Sequence, residues 1–141
     1  MKFTMSKSSL LLLFLILITS CTETTTKTRN PVFISIDKIQ SQLVSLVKAD
    51  NINLNGKEIT VYDTHKKTTS ELEISITNGQ NIPTGEEERK ALGKTVAAAV
   101  KSNLKDSNEF EKYTVLFITK VESGGVTKHH WVGNVFTSKE L

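Results

Sequence analysis

The stretch KYTVLFITKVESGGVTKHHWVGNVF, residues 112–136, decides the fold because two alternating apolar runs meet at Gly124-Gly125. A two-residue glycine turn fixes the register of a β-hairpin, since the strands then pair outward from the turn. This register places Phe117 opposite Val132 and Ile118 opposite Trp131. The pattern therefore predicts a C-terminal hairpin whose side chains divide between two faces.

The two faces of this hairpin differ in apolar content. The richer face is expected to join the core and carries Tyr113, Val115, Phe117, Val121, Val132 and Phe136. The other face carries Lys120 and His129 toward the turn, and its apolar residues are Leu116, Ile118, Trp131 and Val135. This second face is too apolar for plain solvent exposure, so either the first helix covers it or it is a contact surface. Because tryptophan is enriched among interface hot spots, the second alternative predicts a partner or self-association surface there.

Upstream of the hairpin, the spacing of the apolar residues changes from that of a helix to that of a strand. A spacing of three and four residues predicts a helix over 37–49, with Asp37 and Gln40 as a capping box and the apolar positions Ile39, Leu43, Leu46 and Val47. The period then drops to two in KEITVYDT, residues 57–64, and in SELEISITNG, residues 70–79. These runs predict a hairpin, with Asn55-Gly56 and Asn78-Gly79 as turn signals at its two ends.

The segment IPTGEEERKALGKTVAAAVKSNLK, residues 82–105, predicts a second helix. Thr84 and Glu87 have the spacing of a capping box, and the acidic residues 86–88 suit the positive end of a helix dipole better than a metal site. Gly93 is expected where the helix backbone touches the sheet. The inward stripe is Leu92, Val96, Val100 and Leu104.

These elements predict one α+β domain over residues 31–141. Two hairpins separated by helices favour a small two-layer fold in helix-hairpin-helix-hairpin order, with a four-stranded, mainly antiparallel sheet. Such folds host many unrelated activities, so function has to be argued from a site.

The N-terminal segment has the layout of a secretory signal. Lys2 and Lys7 precede nine apolar residues, 10–18, which as a helix would rise about 14 Å against a hydrocarbon core of about 30 Å. The following Ile18-Thr19-Ser20-Cys21 resembles the lipobox of bacterial lipoproteins. The resemblance implies that residues 1–20 are a signal peptide and that the Cys21 thiol receives a diacylglycerol. The alternative is an ordinary signal peptide with a chance cysteine.

Lipidation of Cys21 would fix both the membrane location of the chain and the length of its link to the bilayer. Residues 21–30 are expected to be the lipidated cysteine and a polar tether, reaching at most about 30 Å from the bilayer. The chain has one cysteine, so no disulfide and no cysteine-bound metal is expected. The resemblance to lipoprotein sorting signals, with Thr22 instead of an aspartate after the cysteine, favours the outer over the inner membrane.

Charge and histidine placement restrict the remaining function classes. Without Lys2 and Lys7 the chain carries 16 basic and 15 acidic side chains, and no one-sided basic stripe predicts nucleic-acid binding. His129 and His130 would point to opposite faces of a strand, which disfavours a shared metal ion. The sequence therefore predicts a membrane-anchored binding module of the cell envelope with an envelope protein partner and no cofactor. The alternative is an envelope hydrolase or metal-dependent enzyme that uses His65 and Asp63, or His129 and His130.

Overall fold

The structure is a computed structural model that describes residues 23–63 and 65–141. The proposed signal peptide and Cys21 therefore lie outside the described residues. The elements in chain order are β1 (Glu23–Thr28), α1 (Ile36–Val47), β2 (Asn51–Tyr62), β3 (Lys66–Thr77), α2 (Glu86–Asn103), β4 (Lys112–Ser123) and β5 (Val126–Thr137). The sheet has the order β1-β2-β3-β4-β5; β3 and β4 pair in parallel, and the other neighbours pair antiparallel.

The predicted four-stranded, mainly antiparallel sheet in helix-hairpin-helix-hairpin order is wrong, because the sheet is five-stranded and mixed. The fifth strand is β1, which precedes α1 and pairs along β2 from Glu23 opposite Tyr62 to Thr28 opposite Lys57. The polar composition of this segment predicts a tether and not a strand. The parallel pair arises because α2 connects β3 to β4, and a helical crossover returns the chain to the end of the sheet at which β3 began.

The hydrophobic core lies between the two helices and one face of the sheet. Alternate residues of β3 and β4 point into it, as predicted for Tyr113, Val115 and Phe117. The helices contribute the buried apolar residues that their periodicity predicted. The side chains with zero exposure include Ile39, Leu43, Val47, Leu72, Ile74, Ile76, Val96, Ala97, Val100, Phe110, Tyr113 and Val115. Burial raises the pKa of the Tyr113 phenol to about 12, so it stays protonated at neutral pH.

Both helices begin differently from the predicted capping boxes. The cap of α1 is Ser35, whose Oγ accepts a hydrogen bond from the Lys38 backbone nitrogen at 3.3 Å. The residue before α2 is Gly85, without a side-chain cap. The predicted boxes that began at Asp37 and Thr84 are therefore wrong. Gly93 is buried, and an added Cβ there would lie 3.4 Å from the Phe136 ring, which is an ordinary van der Waals distance.

Asn55-Gly56 lies inside β2, so the turn predicted at this dipeptide is wrong. Gly56 pairs with Leu72 and accepts a hydrogen bond from the Arg29 backbone nitrogen at 2.8 Å. A Cβ at this position would lie 2.0 Å from the Arg29 carbonyl oxygen and 2.8 Å from Cζ of Phe110. Gly56 is needed here because the backbone after β1 and a core ring both pass over its α-carbon.

We expect Gly56→Ala to lower the free energy of unfolding by about 1–3 kcal/mol, because the added methyl group overpacks the contact with Arg29 and Phe110. Urea unfolding would measure the loss. The matched control is Asn55→Ala, an exposed neighbour in the same strand, which should stay within about 0.5 kcal/mol of wild type. A loss at Asn55 as large as that at Gly56 would support a turn at this dipeptide instead.

Candidate functional site

The β4–β5 hairpin has the register that the sequence predicted. Phe117 pairs with Val132 and Ile118 with Trp131, which confirms the glycine turn. Gly124 and Gly125 have φ angles of 58° and 76°, the left-handed region that glycine adopts without a steric cost.

The distal part of this hairpin extends beyond the rest of the sheet. The last pair between β3 and β4 is Thr77 with Ile118, so none of the strands β1–β3 lies beside residues 119–130. We call this segment the hairpin arm. Every residue of the arm is exposed. Val121 in the arm and Val132 at its base are 46% and 44% exposed, so their predicted place in the core is wrong.

Asn78 links the base of the hairpin arm to the rest of the sheet through hydrogen bonds. Its backbone nitrogen donates to the Ile118 carbonyl oxygen at 2.8 Å, and its Oδ1 accepts from the Lys120 nitrogen at 2.8 Å. Its Nδ2 donates to Asp50 at 2.8 Å. Asn78 thus continues the ladder of β3 by one residue, with a φ of 53° that asparagine tolerates better than most residues. Just beyond it, an ion pair of 2.5 Å joins Lys120 to Glu122, and this hydrogen bond lowers the pKa of Glu122.

The sheet face opposite the helices carries an exposed apolar row on β4 and β5. We call it the apolar stripe: Leu116, Ile118, Trp131 and Val135. Trp131 is 70% exposed and Val135 is 61% exposed, whereas Leu116 and Ile118 are half-buried. The alternative that the first helix covers this face is therefore wrong, since α1 packs on the other side. Gly133 lies within the row, and Leu116 occupies the space above it: a Cβ there would meet Leu116 Cδ2 at 2.7 Å.

A polar cluster borders the apolar stripe on β2 and β3. The Lys57 ammonium lies 3.6 Å from a Glu71 carboxylate oxygen and 3.4 Å from one of Glu73. Thr114, next to the stripe on β4, donates its hydroxyl to Glu71 at 2.6 Å. Ser75 donates to Glu73 at 3.2 Å. The sequence showed Glu71 and Glu73 on a polar face but gave no signal for Lys57, because its partners come from a neighbouring strand.

The histidines do not converge on one site. Asp63 and His65 lie in the β2–β3 turn, whereas His129 and His130 lie on the hairpin arm at the opposite end of the sheet. His129 shares the face of Trp131, and His130 points to the other side. Across residues 23–63 and 65–141, no three histidine, cysteine, aspartate or glutamate side chains group closely enough to hold a metal ion.

None of the helices formed by the described residues is long and apolar enough to cross a membrane.

Comparison with known proteins adds one distant structural neighbour. No family model matches the chain, and no curated protein matches it. A crystal structure of the sex pheromone staph-cAM373 precursor aligns with a TM-score of 0.48 and 11% sequence identity. The alignment covers 84% of this chain, which spans 41% of that structure. A similarity of this extent carries no information about function.

Proposed function

We propose that the chain is a lipid-anchored binding module of the bacterial cell envelope. Cys21 holds it at the membrane, with the outer membrane favoured over the inner, and the apolar stripe binds an envelope protein. The observation that carries the binding role is the 70% exposure of Trp131 beside Ile118, Leu116 and Val135 on a face that neither α1 nor α2 covers. The lipobox resemblance of residues 18–21 carries the anchor.

The surroundings of the apolar stripe suit a protein partner. Protein interfaces have an apolar centre and a polar rim, and here the rim consists of the Lys57 cluster on one side and the Lys120–Glu122 pair at the arm. Burying an exposed side chain such as Val135 or Trp131 contributes about 1.5–3 kcal/mol of transfer free energy. The polar rim contributes orientation more than affinity, because solvent screens the attraction between partly exposed charged side chains.

Trp131→Ala should leave the fold almost as stable as wild type. The side chain is mostly exposed, so its removal leaves no cavity, and the free energy of unfolding should fall by less than about 1 kcal/mol. A buried tryptophan would instead cost about 3–5 kcal/mol. Thermal and urea unfolding decide between these values, and quenching of the single tryptophan by iodide gives an independent measure of its exposure.

Site-specific photocrosslinking tests the binding role itself. A photoreactive amino acid at Val135, on the apolar stripe, should crosslink one defined envelope protein in intact cells. The matched control is Val121, which is also exposed but lies on the opposite face of the same hairpin. The adduct at Val135 should disappear when Trp131→Ala is added. Equal adducts at both positions, or none at Val135, would contradict a binding site on this face.

A further inference from the structure

The strand β1 shortens the connection between the domain and the proposed anchor. Glu23 is the first residue of β1 and follows Cys21 by two positions, so the α-carbons of the two residues are at most about 7 Å apart. A free tether over residues 22–30 would have allowed about 30 Å. The anchored domain is therefore held directly at the bilayer surface.

The position of Glu23 decides which end of the sheet is held there. Glu23 pairs with Tyr62, the last residue of β2, and Tyr62 pairs with Lys66, the first residue of β3. The β2–β3 turn lies between them. We call this end of the sheet the proximal end and define it by Glu23, Tyr62, Asp63, Lys66 and Lys67.

The hairpin arm points away from the proximal end. Because β4 is parallel to β3, with Glu71 beside Lys112, the chain runs from Lys67 toward the same end as Ser123. Four positions separate Lys67 from Glu71 and eleven separate Lys112 from Ser123. These fifteen positions, at about 3.3 Å each, span about 50 Å along the strands.

We propose that the anchored domain stands on its proximal end against phospholipid headgroups, with its strands directed away from the bilayer. This orientation rests on the proposed acylation of Cys21. The proximal end fits a headgroup layer: Tyr62 is 41% exposed, and the Lys66 ammonium lies 5.9 Å from the centre of its ring. Tyrosine and lysine are residues that favour membrane–water interfaces. The positive charges of Lys66 and Lys67 are balanced by the negative charges of Glu23 and Asp63. The short tether, more than net charge, therefore sets the orientation.

The orientation determines what the apolar stripe can meet. Trp131 lies opposite Ile118, which pairs with Thr77, ten positions from Lys67 and about 33 Å from it along the strands. The headgroups beneath the proximal end cannot reach that height. The stripe is therefore presented to a protein that stands above the membrane and not to the lipid that holds the anchor.

Depth-dependent fluorescence quenching tests this orientation. The one cysteine of the chain is blocked once its thiol is acylated, so Lys67→Cys and Ser123→Cys each provide a single reactive thiol on an exposed residue. Each purified lipoprotein would carry an environment-sensitive fluorophore in vesicles of phosphatidylcholine and phosphatidylglycerol with a nitroxide on a fraction of the headgroups. We expect the nitroxide to quench the fluorophore strongly at position 67. At position 123, the fluorescence should be the same in vesicles with and without the nitroxide. Lys112→Cys, four strand positions above position 67, should give an intermediate value.

The same preparations separate failure of the orientation from failure of the anchor. The intact mass of the mature protein shows whether Cys21 carries acyl chains, and an unmodified mass overturns both proposals. An acylated protein with equal quenching at positions 67 and 123 overturns only the orientation, because the domain then lies flat or moves on a released β1. Stronger quenching at position 123 also overturns it. Unfolding midpoints equal to wild type would establish that the substitutions leave the domain intact.

Discussion

Cys21→Ala is expected to leave an unprocessed precursor without acyl chains. The thioether of a lipoprotein forms on the cysteine sulfur, and alanine offers no nucleophile for it. The change in acyl label from wild type to variant is therefore all-or-none.

Metabolic labelling with a fatty acid, followed by gel separation of the precursor and mature forms, measures this effect. The label should appear in wild type and be absent from the Cys21→Ala variant, which should accumulate as the longer precursor. Thr22→Ala is the matched control, because it changes the neighbouring residue and keeps the thiol. Equal labelling of wild type and Cys21→Ala would contradict the lipoprotein assignment and favour an ordinary signal peptide.

Phe110→Ala should cause the largest loss of stability among the substitutions considered. The ring is fully buried and meets Tyr113 edge-on, with centroids 6.5 Å apart and an interplanar angle of 73°. It also lies beneath Gly56 and 5.7 Å from the Arg29 guanidinium carbon, so it joins the β1–β2 region to β4. Truncating such a residue costs about 3–5 kcal/mol, a large share of the 5–15 kcal/mol typical of a domain.

Urea unfolding would measure the loss at Phe110, with Trp131→Ala as a control of comparable aromatic size. The expected contrast is several kcal/mol at the buried ring against less than about 1 kcal/mol at the exposed one. The Phe110→Ala midpoint should fall far below that of Trp131→Ala. Equal midpoints would contradict the assignment of Phe110 to the core and of Trp131 to the surface.

Local sequence signals predicted the elements that depend on neighbouring residues. The register of the β4–β5 hairpin followed from Gly124 and Gly125, because a two-residue turn leaves no freedom in how its strands pair. The buried stripes of α1 and α2 followed from apolar spacing. Each of these is set within a short span of chain.

Other features were decided by contacts between distant segments. The polar residues of β1 have the composition of a linker, and they form a strand because the backbone of β2 offers a free edge to pair with. Asn55-Gly56 has the sequence of a turn, yet it stays extended because β2 pairs with β3 along its whole length and Arg29 crosses over Gly56. Local propensity yields in both cases to long-range hydrogen bonding.

The sequence by itself determined which residues share a face, and the tertiary structure decided what covers each face. Val121 and Phe117 lie on the same side of β4, but Phe117 is buried, whereas Val121 is 46% exposed. The sequence left two alternatives for Trp131, because periodicity gives the direction of a side chain but not which element packs over it. Its exposure depends on α1 packing against the opposite side of the sheet. The separation of Trp131 from the proximal end of the sheet likewise depends on the parallel pairing of β3 with β4, which the crossover through α2 creates.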